Sequence, residues 1–87
     1  MDRETKILYF AWVRERIGTG EEDVALPDGV RDLAALVGWL QARGAGFAAA
    51  FANPALVRAA VNQVFARADT PVGPGDEVAF FPPVTGG

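Results

Sequence analysis

The sequence predicts an α+β roll, one mixed sheet wrapped on one main helix, and three observations carry that prediction. Strongly β-prone runs stand near both ends, Lys-Ile-Leu-Tyr-Phe-Ala over residues 6–11 and Glu-Val-Ala-Phe-Phe over residues 77–81. One long helical pattern, over about residues 30–43, lies between them. Both end runs are apolar on both faces, which suits central strands, so they are expected to be parallel neighbours.

Taken in order, the first strand is followed without a turn signal by one or two helical turns over residues 12–17, with Gly18 as C-cap. Residues 21–26 (Glu-Glu-Asp-Val-Ala-Leu) read as an antiparallel second strand, and Pro27-Asp28-Gly29 as a turn. In the main helix Val30, Leu33, Val37 and Leu40 form the apolar stripe, widened by Ala34, with Arg31, Asp32, Gln41 and Arg43 opposite. Asp28 or Gly29 is the expected N-cap, and Gly44 ends the helix. Asp32 in the first turn and Arg43 in the last suit the helix dipole. Leu36 and Trp39 fall off the stripe, and Trp39 is read as edge-of-core rather than binding. Residues 44–54 wrap the core edge with Phe47 and Phe51 as anchors and room for a short helical turn. Residues 56–62 alternate as a strand with Val57, Ala59 and Val61 on one face, and Asn62-Gln63 turns it into Val64-Phe65-Ala66. A turn-rich stretch, residues 70–76, leads to the last strand.

Composition removes whole classes of function. The 87 residues suffice for one domain, 1–87, in an ordinary balance of 51% hydrophobic and 22% charged residues. With no cysteine and no histidine, thiol nucleophiles, zinc-thiolate sites and Ser-His-Asp triads are impossible within the chain, and no metal site is expected. The net charge is −3 and the basic residues are scattered, so nucleic-acid binding is not expected. No apolar run approaches the ~20 residues that span a bilayer. The mixed-charge start does not read as a signal peptide, so no membrane role and a cytoplasmic address are expected.

The ending is the informative stretch. Pro82 and Pro83 stop sheet pairing and favour a stiff extended segment, which aims residues 82–87 away from the body as an extended functional tail. The four residues Val84, Thr85, Gly86 and Gly87 reach roughly 13–14 Å at most. Gly86 and Gly87 have no Cβ, so a narrow channel in another protein can close around them and receive the terminal carboxylate.

These residues resemble the MoaD-type small subunits of molybdopterin synthase, ubiquitin-like β-grasp sulfur carriers. The likeness rests on Leu8-Tyr9-Phe10-Ala11-Trp12-Val13-Arg14-Glu15 with Gly18, on Ala60-Val61-Asn62-Gln63, and above all on residues 75–87 ending Pro-Pro-Val-Thr-Gly-Gly. The resemblance implies that an ATP-dependent adenylating enzyme activates the Gly87 carboxylate and that a sulfur donor displaces AMP to leave a thiocarboxylate. The loaded tail then enters the large synthase subunit, and its sulfur goes to cyclic pyranopterin monophosphate during molybdenum cofactor biosynthesis. An assembly of two small and two large subunits is implied, with covalent sulfur on Gly87 and no tightly bound cofactor. The residues agree with that chemistry. An α-carboxylate is ionised at neutral pH and a poor electrophile until it is adenylated, and the catalytic side chains then belong to the partners.

Alternation puts Val78 and Phe80 on one face of the last strand, Ala79 and Phe81 on the other. Phe81 is thus an interface anchor, its alternative being packing against Phe10 and Leu8 within the monomer. Phe10 and Ala79 are grouped with it. Arg14 matches the family's arginine after the first strand and is read as pairing with partner carboxylates, against a plain solvated arginine. Glu21, Glu22 and Asp23 read as a solvated edge. Three other readings share the tail or dispense with it. A ubiquitin-like modifier would join Gly87 to lysines, and a carrier could serve thiamine, cysteine or tRNA thiolation. In a plain interaction module the tail would be incidental. Lys6, the sole lysine, offers little for building chains of a modifier.

Overall fold

The computed structural model describes residues 4–83. The elements are β1 (Thr5–Tyr9), α1 (Ala11–Ile17), β2 (Glu21–Val24), α2 (Leu33–Gln41), α3 (Ala45–Ala50), a 3-10 turn (Pro54–Leu56), β3 (Arg58–Val61), β4 (Val64–Phe65) and β5 (Glu77–Phe81). They form one mixed five-stranded sheet in the order β2-β1-β5-β3-β4. β5 lies at the centre, parallel to β1 and antiparallel to β3, with Ile7 opposite Val78 and Ala59 opposite Phe80. The expected parallel pair is thus present, with one face of each strand fully buried and the other half-buried. Ile7, Tyr9, Val78 and Phe80 are buried there beneath Leu36 and Leu40 of α2.

The hairpin turn is where Asn62 and Gln63 take φ of 51° and 70°, the paired left-handed values that a two-residue turn needs to match strand twist. Asn62 is suited to that strain and also holds the next strand. Its Nδ2 donates to Asp76 Oδ1 at 2.9 Å, its Oδ1 accepts from the Glu77 N–H at 3.0 Å, and its own N–H donates to the Glu77 carbonyl at 2.7 Å.

Several expected boundaries move. The first strand ends at Tyr9 rather than residue 11, because Ala11 adopts φ 53° and bends the chain straight into α1 with no turn residue to advertise it. Gly18 caps α1 at φ 96° as expected. β2 stops at Val24, and Leu56 belongs to the 3-10 turn rather than to β3.

The main helix is shorter than its pattern. Asp32, not Asp28 or Gly29, is the N-cap, its carboxylate accepting from the Ala35 N–H at 2.8 Å. The carbonyls of Thr70 and Ala68 take the N–H groups of Leu33 and Ala34, so the segment before β5 finishes the cap. Because the helix starts at Leu33, its buried stripe is Leu33, Leu36 and Leu40. Leu36, read as off-stripe, is wholly buried, and Val37 is only half-buried. Val30 precedes the helix, while Trp39 packs at the core margin as expected. Gly44 is the N-cap of a separate helix, α3, whose Phe47 and the following Phe51 are the anchors expected of that stretch. A Cβ at Gly46 would stand 2.6 Å from the Arg16 carbonyl oxygen, so α1 and α3 close over a glycine.

Arg43 lies beyond α2 and serves no helix end. Its Nη1 and Nη2 bond both oxygens of Glu22 at 3.0 and 2.9 Å, and its guanidinium sits over the rings of Trp39 and Phe47. Glu22 also accepts from Tyr9 Oη at 2.7 Å. It is half-buried, not part of a solvated edge, because β2 pairing turns it onto the core side opposite Ile7. Burial pushes Tyr9 up, as does its bond to Glu22, which keeps the phenol a donor. Burial alone would raise Glu22, but the bonds from Arg43 and Tyr9 outweigh it and hold the carboxyl below its usual 4.5. A depressed folded value stabilises above the unfolded one and is lost as pH falls through the folded value. Glu22→Gln is therefore expected to cost about 1–3 kcal/mol at pH 7 and to lose less stability than wild type on acidification below about pH 4.5. Urea unfolding from pH 7 to pH 3 would check both.

Candidate functional site

Parallel pairing brings the C-terminal ends of β1 and β5 to the same edge of the sheet. β3, antiparallel to β5, begins at that edge, and β2, antiparallel to β1, begins there too, where the Tyr9 N–H donates to the Gly20 carbonyl at 2.9 Å. The chain leaves this edge at Phe81, followed by half-buried Pro82 and Pro83. The readings on Val84, Thr85, Gly86 and Gly87 lie outside the described residues.

One face of the sheet carries the helices and the other is open. Cross-strand registers set Leu8 opposite Ala79, Ala79 opposite Ala60, and Ala60 opposite Phe65 across the open face. Phe81 lies on the same face, half-buried, its ring 6.1 Å from that of Phe65. Phe65 is 78% exposed and Phe10 47%. A run of large apolar groups beside the chain exit is the signature of a surface that another protein covers.

The polar groups frame this strip. At the far end Lys6 bridges Glu21 at 3.2 Å and Asp23 at 3.9 Å, and these contacts, the bond to Glu21 first, raise the Lys6 ammonium above its usual value. At the exit edge Arg14 of α1 is exposed and lies against Gly20, where a Cβ would stand 3.2 Å from its Cζ. Arg14 makes no ion pair among the described residues. The structure thus brings Phe81, Ala79 and Phe10 toward one edge of the open face, while Arg14 stands at that edge on α1.

The residue pattern alone does not single out Phe65 as a site residue. The two-residue turn at Asn62-Gln63 carried the signal, since it fixes Ala60 opposite Phe65 and so puts Phe65 on the face of Phe81. Elsewhere, a groove of about 390 Å³ between α2 and β3 is lined mainly by Leu33, Val37, Phe51, Val57 and Phe80. Gln41 and Arg58 are the polar residues at its border, and it has no carboxylate or hydroxyl side chain.

A protein-family model described as the ThiS family matches residues 7–87. The chain belongs to the ThiS family. Among relatives of this ThiS-family chain, the "Molybdopterin synthase sulfur carrier subunit" of Escherichia coli K12 is 45% identical over 82 residues, covering 94% of this chain and 98% of the relative. Proteins of the same name from Haemophilus influenzae and Mycobacterium tuberculosis are each 39% identical over 85 residues, covering 96% and 98% of those proteins and 93% and 97% of this chain. Among solved structures, a "putative molybdopterin converting factor, subunit 1" from Pyrococcus furiosus superposes with a TM-score of 0.76 at 31% identity, over 94% of this chain and 99% of that one. SAMP1 from Haloferax volcanii superposes with a TM-score of 0.71 at 24% identity, over 97% and 99%, a likeness of fold alone. The mixed sheet on α2 is the ubiquitin-like β-grasp of these proteins. No described helix is long and apolar enough to cross a membrane.

Proposed function

We propose that this chain is the sulfur carrier subunit of a molybdopterin synthase and that Gly87 carries the sulfur. The observation behind the reading is near-full-length identity of 39–45% to three proteins of that name. A carboxylate oxygen of Gly87 attacks the α-phosphorus of ATP on an adenylating enzyme and pyrophosphate leaves. Hydrosulfide released by a sulfur donor then attacks the acyl carbon, AMP leaves, and loss of the thioacid proton gives the thiocarboxylate. In the large synthase subunit the tail Pro82, Pro83, Val84, Thr85, Gly86, Gly87 lies in the active site, and the sulfur passes to cyclic pyranopterin monophosphate. The carrier contributes reach and a soft nucleophile, while the partners contribute acid, base and positioning groups.

Phe81, Phe10, Ala79 and Arg14, joined by Leu8, Ala60 and Phe65, form the docking face. Replacing Phe65 by Asp is expected to weaken binding to the large subunit about 30-fold, the roughly 2 kcal/mol of an interface anchor. Its thermal unfolding should move little, because the ring is 78% exposed in the free chain. Titration calorimetry and thermal melts together check this.

The carrier chemistry itself is tested by intact mass after incubation with ATP, the host's adenylating enzyme and a sulfur donor. Exchange of one oxygen for one sulfur at Gly87 is expected. Gly87 joined instead to lysines of other proteins would replace the carrier reading with the modifier reading.

A further inference from the structure

Arg58 borders the groove between α2 and β3 at the sheet's exit edge. It opens β3 directly opposite Phe81, the last residue of β5, so cross-strand pairing puts its side chain on the open face beside the exit of the tail. It is exposed, and its guanidinium has no hydrogen bond, ion pair or ring contact among the described residues. The neighbouring strand cannot supply a partner. β4 ends at Phe65, Ala66 makes one further bond to the Ala59 carbonyl, and the chain then turns away so that the Ala68 carbonyl reaches the Ala34 N–H of α2.

The acids of the open face gather about Lys6. Asp23 and Glu77 are in register with it, and Glu21, which opens β2 in register with Leu8 nearer the exit edge, turns its carboxylate to the Lys6 ammonium at 3.2 Å. Glu77 and Phe81 are four residues apart, about 13 Å along the strand. The face is therefore polar along its length, with a cation at the tail exit, an apolar middle and, toward the far end, three carboxylates about one ammonium. A partner matching the apolar strip alone could sit on it in more than one direction. Only one direction brings the tail to the partner's active site, and charge is what distinguishes directions.

We propose that Arg58 sets the docking direction by pairing with a carboxylate at the mouth of the large subunit's tail-receiving channel, on the side of β5 away from Arg14. The inference rests on the carrier reading above. The two arginines then flank the tail, one on α1 beyond β1 and one on β3.

The test is the association rate of the chain with its own organism's large subunit, measured from low to high salt. Arg58→Ala should slow association about fivefold at low salt, and Arg58→Glu by about tenfold or more. Arg58→Lys should stay close to wild type, and all differences should shrink as salt screens the pair. Melting temperatures should stay close to wild type, since the side chain is exposed and makes no hydrogen bond or ion pair among the described residues. Wild-type association by Arg58→Glu at low salt, or a defect equally large at high salt, would overturn the pairing while leaving the carrier reading intact. If the wild-type chain does not bind the large subunit at all, both fall together.

Discussion

Deleting Gly87 is expected to abolish sulfur loading while leaving the fold untouched. The deletion retracts the terminal carboxylate by about 3.5 Å. A displacement of 1 Å at a reacting centre can cost about 100-fold, so loading should drop by more than 100-fold. The core does not depend on this residue: Ile7, Tyr9, Leu36, Leu40, Val78 and Phe80, each at most 1% exposed, lie between residues 7 and 80. Intact-mass kinetics with the adenylating enzyme and sulfur donor, beside a thermal melt, separate the two effects. Loading at the wild-type rate by the shortened chain would move the reactive group away from Gly87 and remove the basis of the proposed function.

Phe80→Ala is expected to cost about 3–5 kcal/mol, the usual penalty for emptying an aromatic site in a packed core. The ring is 1% exposed, stacked on Tyr9 at 6.1 Å and met edge-on by Phe51 at 4.9 Å. It joins the central strand to the segment after α3, so the cavity would be shared between layers that cannot easily collapse onto it. For a chain of this size the total stability is about 4–13 kcal/mol, so the loss is a large fraction of the whole. At about 4–8 °C per kcal/mol the melting temperature should fall by more than about 12 °C. A fall of under about 5 °C would mean that Tyr9 and Phe51 repack into the space. The neighbouring Phe81, on the other face of the same strand, should behave in the opposite way: its loss is expected to weaken partner binding more than folding.

Much of the fold was legible because the signals are local and redundant. The apolar runs of β1 and β5, the Asn62-Gln63 turn, Gly18 after α1 and the Pro82-Pro83 stop each act within a few residues, and each agrees with its neighbours. The helical period overruns the start of the main helix because Val30 keeps the period while lying outside it. Its start is set by Asp32 together with the carbonyls of Ala68 and Thr70, from a segment more than thirty residues away. Periodicity cannot see a cap of that kind.

The sequence by itself determined the class of sheet, the central placing of β5 and the chemical character of the tail. Those follow from side-chain alternation, from proline's missing N–H and from glycine's missing Cβ, which are properties of single residues and short runs. Only the tertiary structure decided that Glu22 is locked to Arg43 and Tyr9, that Phe65 joins Phe81 on the open face, and that Arg58 stands beside the tail exit. Each of these depends on strand register or on packing between distant segments, where a shift of one residue would send the same side chain to the opposite face.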